Sequence, residues 1–174
     1  RGTHDDLGLH NILFSKDYQA EFASIAQTGS PGEDPTVYIN ITSKELPKDA
    51  PDGHENWFVL MNVSADPSQW GEESVATLRS QVLEKIQRTL GVRPDIVCEQ
   101  VLTPGTIESM TGSWRGALYG ASSNSTAAAF LRHRNRSTDL RGLYFCGGSV
   151  HPGGGIPLCL LGARIVDELA HQDR

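Results

Sequence analysis

The sequence predicts an α+β fold, an antiparallel or mixed sheet with helices packed against it. Three observations carry that reading. Residues 36–42 alternate apolar and polar side chains, and residues 72–90 hold an apolar stripe at helical spacing. Residues 142–158, GLYFCGGSVHPGGGIPL, pass from an aromatic strand through a glycine loop into a helix opened by proline. At 174 residues the chain is long enough for one ordinary domain. Its 38% hydrophobic and 21% charged content belongs to a globular protein rather than a disordered one.

Taken in order, Ser15 or Asp17 caps a short helix reaching about Ala26, with Tyr18, Phe22 and Ile25 along one face. The loop 28–35 stops it. In the strand 36–42, Val37, Ile39 and Ile41 point one way while Asn40 and Thr42 point the other. A polar loop leads to a second strand, 57–63, with Trp57, Val59, Met61 and Val63 on one side. Two such strands suit an antiparallel sheet with one covered face. From Glu72 to Leu90, Val75, Leu78, Val82, Ile86 and Leu90 form the helical stripe. Glu72 and Glu73 suit the positive end of that helix, Glu84 can pair with Arg88, and Gly91 terminates it.

Beyond it, residues 96–102 read as another strand and Thr103-Pro104 as the start of a turn or short helix. Residues 112–124 form a glycine- and serine-rich loop carrying Trp114, Leu118 and Tyr119. A strand over 143–146 then feeds a helix from Pro157 to about Ala170, with Leu158, Leu161, Ile165 and Leu169 facing inward. Gly162 and Ala163 allow that helix to pack closely.

Charge and composition exclude some classes. A net charge of −6 argues against a nucleic-acid partner. Cys98, Cys146 and Cys159 are odd in number and form no C-x-x-C pair, which suits a reducing compartment and three small buried apolar residues. The histidines form no i, i+4 pair and no cluster with cysteine, so no metal site is expected. No segment approaches the roughly 20 apolar residues that span a bilayer, and no secretory segment is seen. A cytoplasmic protein is the expectation.

The chemistry concentrates in residues 142–158. Glycines at 147, 148, 153, 154 and 155 let the backbone approach a large flat ligand. Pro157 suits the first helical position, where its missing N–H costs nothing. The free amides of the first turn then favour an anion or a carbonyl that gains negative charge. A plain strand-to-helix turn would use the same residues.

This segment resembles the C-terminal flavin-binding signature of bacterial-type carotenoid desaturases, the phytoene dehydrogenase-like branch of the FAD-dependent amine oxidase superfamily. The stretches FSKDYQAEF (14–22), DPTVYI (34–39), APDGHENWF (50–58), TPGTIE (103–108) and GASSN (120–124) resemble the same family in the same order. Nearly the whole chain is covered. The resemblance implies an oxidoreductase that uses FAD to desaturate a carotenoid or related isoprenoid by hydride transfer. Saturases, isomerases and oxygenases share the fold. It places Gly154, Gly155, Ile156 and Pro157 at the flavin edge, and Gly147, Gly148 and Ser149 near the ribityl and phosphate. Where many relatives carry an acidic residue, Gly148 stands, so no side-chain bond to FAD comes from there.

The family's G-x-G-x-x-G turn, which holds the FAD pyrophosphate, is missing from these residues, and the chain starts at Arg1 without an initiator methionine. The expectation is a C-terminal part of a longer enzyme. Residues 1–140 are then a portion of the substrate domain. Residues 141–174 are the last strand and helix of a Rossmann-like FAD domain whose N-terminal part is missing. Alone, such a piece is expected to be inactive and to bind FAD weakly. No catalytic side chain is assigned. His151 and Glu108 are the candidates, each set against a structural alternative. Trp114 and Tyr119 either wall the polyene or fill a loop core. Arg132, Arg134 and Arg136, with Phe130 and Leu131, either touch anionic headgroups at a membrane surface or are solvated, one pairing with Asp139. The alternative function is a non-catalytic domain that binds an apolar ligand or a partner chain. Truncation is expected to expose apolar surface that a homodimer would cover.

Overall fold

In the computed structural model, which describes residues 1–66, 70–120 and 132–173, the chain forms two units, Arg1–Pro104 and Gly105–Arg174. The first is built on a three-stranded antiparallel sheet in the order β1 (His10–Leu13), β2 (Val37–Asn40), β3 (Phe58–Met61). Leu13 lies opposite Val37 and Val37 opposite Met61, so these side chains share a face. On that face Val37 and Ile39 have no exposure to water, nor has Ile41 just beyond the strand. The α+β class and the antiparallel pairing agree with the sequence. β1 does not follow from it: His-Asn-Ile-Leu shows no alternation, and pairing with β2 is what makes it a strand.

Helix α1 (Tyr18–Thr28) is capped by Asp17, whose carboxylate accepts from the Ala20 N–H at 2.9 Å, and stops at Gly29 in the left-handed region. Of its expected apolar face only Ile25 is half-buried; Tyr18 is 48% and Phe22 40% exposed. The buried residue is Glu21, which accepts from the Thr36 N–H (3.1 Å) and hydroxyl (2.6 Å). A carboxylate holding two donors can be buried without leaving an orphaned charge.

Helix α2 (Glu72–Leu90) has the predicted bounds and stops at Gly91. It lays Ile86 into the core with Leu7 and Leu13, while Val82, Leu90, Trp57 and Val92 pack around them. Arg88 reaches Asp34 at 2.6 Å rather than Glu84. Lys85, almost wholly buried, donates to Asp34 (2.7 Å) and to the Phe14 carbonyl (2.7 Å). That pair ties the helix to both sides of α1. On β3 the expected inward row is incomplete: Trp57, Met61 and Val63 are half-buried, but Val59 is exposed. β3 is an edge strand, and the strand that α2 chiefly meets is β1.

Residues 96–102 are not a strand. Ile96, Val97, Val101 and Leu102 are exposed, and among the described residues no strand pairs with them to take up their backbone hydrogen bonds. Instead Arg79 holds Glu99 through bonds of 2.7–3.0 Å.

The second unit contains α3 (Pro104–Thr111), a 3₁₀ turn over Trp114–Gly116, and α4 (Ile156–Gln172). The expected strand at 143–146 shrinks to a bridge from Tyr144 to Arg136, with a second bridge from Val150 to His133. Two isolated bridges give the segment no continuous ladder. Arg136 pairs with Asp173 at 2.7 Å, not with Asp139, and the Tyr144 hydroxyl donates to the same Asp173 carboxylate. On α4, Ile165 and Leu169 are half-buried, whereas Leu158 and Leu161 are exposed, so only the later part of the expected inner face is covered. The cysteines also depart from expectation. Cys98 and Cys146 are exposed and Cys159 is half-buried, because none lies on a covered face.

One ionic hub fixes the amino-terminal segment to the sheet. Glu55, with a side chain only 5% exposed, accepts from the His4 N–H (2.9 Å), His4 Nδ1 (2.8 Å), Lys44 Nζ (2.7 Å) and Trp57 Nε1 (2.9 Å). Burial alone would raise its pKa. The hydrogen bonds from Lys44, His4 and Trp57 outweigh that and bring it from 4.5 to about 2. A depressed carboxylate contributes stability that is present above its unfolded pKa and lost as pH falls through its folded one. Glu55 should therefore contribute on the order of 3 kcal/mol at neutral pH, lost between pH 4.5 and about 2. Denaturant titrations of wild type and Glu55→Gln across that range should converge at the acid end. In the core, Ile86→Ala should lower unfolding free energy by about 2–5 kcal/mol, read from the same curves.

Candidate functional site

The glycine loop of the second unit is held by Asn135, which the sequence reading did not single out, and by Arg132, which it expected at a headgroup surface or in solvent. Asn135 is 5% exposed, and its Nδ2 donates to the carbonyls of Phe145 (3.0 Å) and His151 (2.8 Å). Its own carbonyl accepts from the Phe145 N–H at 2.7 Å, and the His133 carbonyl accepts from the His151 N–H at 2.9 Å. Arg132 Nη1 donates to the carbonyls of Tyr119 (3.0 Å) and Gly148 (3.2 Å). A glycine-rich loop cannot provide these donors, so they come from the Arg132–Arg136 segment. The signal for Asn135 was slight: one uncharged amide among arginines.

Helix α4 packs back on this loop through Gly162. A Cβ there would lie 3.5 Å from the His151 carbonyl oxygen and Pro152 Cδ. The helix begins at Gly155, whose φ of +93° strains any residue with a side chain. No side chain caps it, and Ile156 is 79% exposed. Pro157 occupies the second helical position, one residue later than expected. The open first-turn amides of a 17-residue helix form an electropositive edge.

The predicted site residues divide into two groups. Ser149 meets Gly120, Gly154 meets Tyr119, and Gly148 lies against Gly154. A Cβ on Gly154 would sit 2.8 Å from the Tyr119 ring, and one on Gly120 would sit 3.0 Å from Ser149 Cα. Glu108 and Trp114 meet at Arg115 instead. Glu108 accepts from the Arg115 N–H at 2.9 Å and stabilises that residue's left-handed backbone, while the Arg115 guanidinium lies 4.6 Å from the Trp114 ring centre. Glu108 thus has a defined structural duty. His151 contributes both backbone groups to the loop and leaves its side chain exposed. Phe130 and Leu131, and residues 121–124 of the GASSN stretch, lie outside the described residues.

Part of this surface is open. Positions Gly147 and Gly155 have nothing within 4 Å of where a Cβ would be, and the helix edge beside Gly155 is uncapped. Over Gly153 and Gly154 the space is taken by Arg132 and Tyr119 of the chain itself. Tyr119 is 68% exposed and can swing aside; Arg132 is committed to the loop.

No family model matches the chain. It is 56% identical over 165 residues to a 1-hydroxycarotenoid 3,4-desaturase from Flavobacterium sp. (strain P99-3), covering 94% of this chain and 34% of that protein. Two proteins of Staphylococcus haemolyticus are more distant. A 4,4'-diaponeurosporene oxygenase is 34% identical over 94% of this chain and 33% of its own length. A 4,4'-diapophytoene desaturase is 31% identical over 99% and 36%. The chain spans about a third of the length of these relatives.

Replacing Asn135 with Leu should leave the Phe145 and His151 carbonyls without donors and destabilise the second unit by about 1–3 kcal/mol. Amide exchange at Phe145 and His151 should rise together, while exchange in β2 stays unchanged.

Proposed function

This chain belongs to the carotenoid desaturase family, and we propose that it supplies the substrate-domain portion and the flavin edge of an FAD-dependent oxidoreductase acting on a carotenoid or related isoprenoid. In this reading the chain is the C-terminal part of the enzyme. Residues 1–140 contribute to the substrate domain, and 141–174 supply the loop and helix that close the flavin site. The observation that carries it is the open, uncapped start of α4 at Gly155, with Ile156 projecting beside it.

Bound FAD would supply the acceptor for a hydride taken from an allylic C–H of the substrate, the proton of the neighbouring carbon would pass to water, and a quinone or oxygen would reoxidise the flavin. The amides around Gly155 and Ile156 favour the negative charge that such an acceptor gains, and they do so with fixed dipoles. Gly147, Gly148 and Ser149 line the approach with backbone. Tyr119 bounds the site at Gly154, and Trp114 belongs to the neighbouring turn. No side-chain acid or base is required of His151 or Glu108; placement of an apolar chain against the ring does most of the work.

The relatives include both desaturases and oxygenases, and the reading takes desaturation from the 56% identical one. Its name also makes a hydroxylated carotenoid the first substrate to test. Because carotenoids dissolve in bilayers, the enzyme should work peripherally at a membrane surface, with Arg134 toward the headgroups. No described helix is long and apolar enough to cross one.

The test uses the full-length protein that carries this chain, loaded with FAD and supplied with a 1-hydroxycarotenoid and with acyclic carotenes in liposomes. It should introduce a double bond, and Gly155→Val should lower flavin retention at least tenfold. The isolated chain should take up no stoichiometric FAD. Tight binding by the isolated chain, or a full-length flavoprotein inert toward every carotenoid offered, would overturn the reading.

A further inference from the structure

Resting on the carotenoid reading above, we propose that the open face of the β1–β2–β3 sheet is a wall of the substrate path, and that His10, Tyr38 and Asn40 at one end of it recognise a terminal hydroxyl on the substrate. The strand register places two rows of side chains on the face opposite the core: His10, Asn40 and Phe58 in one, Ile12, Tyr38 and Leu60 in the next. Ile12, Phe58 and Leu60 are each about half exposed. Phe14 follows Ile12 on the same side, about 13 Å along the chain from His10. From there the aromatic line continues onto α1, with Phe14–Tyr18 ring centres 6.0 Å apart and Tyr18–Phe22 4.9 Å apart, both edge to face. The result is a strip of exposed apolar side chains with His10, Tyr38 and Asn40 at one end; at the other, the polar groups of Thr36 and Asn62 are taken up by Glu21. That outline suits a linear isoprenoid carrying one polar terminus.

Hydrogen bonding fixes what the polar end offers. Asn40 Nδ2 donates to the Leu9 carbonyl at 3.1 Å, which identifies that atom of the amide as nitrogen. The same nitrogen lies 3.1 Å from His10 Nδ1 and the Tyr38 hydroxyl 2.8 Å from it, so Nδ1 is an acceptor whose single lone pair is shared by the two donors. The His10 ring, stacked on Tyr38, then turns its other nitrogen, Nε2, outward as a donor. An Nε2–H donor and the lone pairs of the Tyr38 oxygen remain for a ligand. An alcohol both accepts and donates, and so matches the pair. A pure hydrocarbon lying there would take water from both groups and replace it with nothing, which disfavours it.

The experiment titrates the chain in detergent micelles with an acyclic carotene and with its 1-hydroxy derivative, following quenching of intrinsic fluorescence. Wild type should bind the hydroxylated compound about fivefold more tightly, the scale of one or two net hydrogen bonds. Tyr38→Phe and His10→Phe should abolish that preference while leaving carotene affinity within twofold. Leu60→Asp should weaken both ligands by tenfold or more. All three positions face outward, and unchanged thermal unfolding would show that the variants fold. Equal affinity of wild type for the two compounds, or a preference that survives Tyr38→Phe and His10→Phe, overturns the hydroxyl assignment and leaves the carotenoid reading standing. Binding indifferent to Leu60→Asp removes the sheet face from the substrate path. Absence of binding by either compound contradicts this inference, and full-length turnover in the liposome assay then decides separately whether the enzyme reading survives.

Discussion

Strand β2 carries one dry face and one open face, and the first unit is arranged around that asymmetry. Val37 and Ile39 are sealed on one side in a core with Leu7, Leu13 and Ile86, with Ile41 continuing the seal, while Tyr38 and Asn40 on the other remain in reach of solvent. Because side chains alternate strictly along a strand, a slip of one residue would put Tyr38 and Asn40 into the core and Ile39 into water. The register is therefore set by the burial of three apolar side chains, and every placement on the open face follows from it. β1 and β3 inherit their registers from β2 and extend that face on both sides.

So small an apolar core leaves much of the positioning to charged groups. Asp34 accepts from Lys85, Arg88 and the Lys16 N–H; these bonds, led by the one from Lys85, lower its pKa against the opposing effect of burial. Glu21 on α1 and Glu55 before β3 likewise gather several donors, from Thr36 and from His4, Lys44 and Trp57. Each carboxylate is satisfied by several donors, the condition under which buried charge is tolerated. Each also reaches across many residues of chain, so the loops between β1, α1, β2 and β3 are fixed by directional contacts. Loss of one partner leaves the other buried and unmatched, which makes these contacts sensitive points.

The second unit works by a different rule. Its functional candidate surface is nearly all backbone, and side chains serve to hold that backbone still. Asn135 and Arg132 take up carbonyls that the glycines cannot satisfy, and Gly162 lets α4 close on the loop. What is then presented, at Gly155 and Ile156, is a helix terminus that no side chain caps. Such a surface stabilises charge without any titrating group, and none of the histidines or carboxylates of the unit is needed for it.

Much of this was legible in the sequence. Periodicity gave α2 to the residue, because five apolar side chains at helical spacing closed by a glycine admit one reading. Alternation gave β2 and its buried face, and the glycine loop announced itself by composition and by its resemblance to a flavin signature. What periodicity could not supply was pairing. Residues 96–102 look like a strand yet have no described neighbour to bond with, whereas His10–Leu13 look like nothing and become a strand because β2 lies beside them. Nor could it assign the polar partners: Glu21 with Thr36, Lys85 with Asp34 and Asn135 with two carbonyls are contacts between groups far apart in the chain. The sequence alone determined which segments had an apolar face and where the backbone was bare, since both are local properties of residue type. Tertiary structure alone decided which faces were covered, which carboxylates were buried and where His10 met Tyr38, since those depend on which distant segments the fold brings within bonding distance.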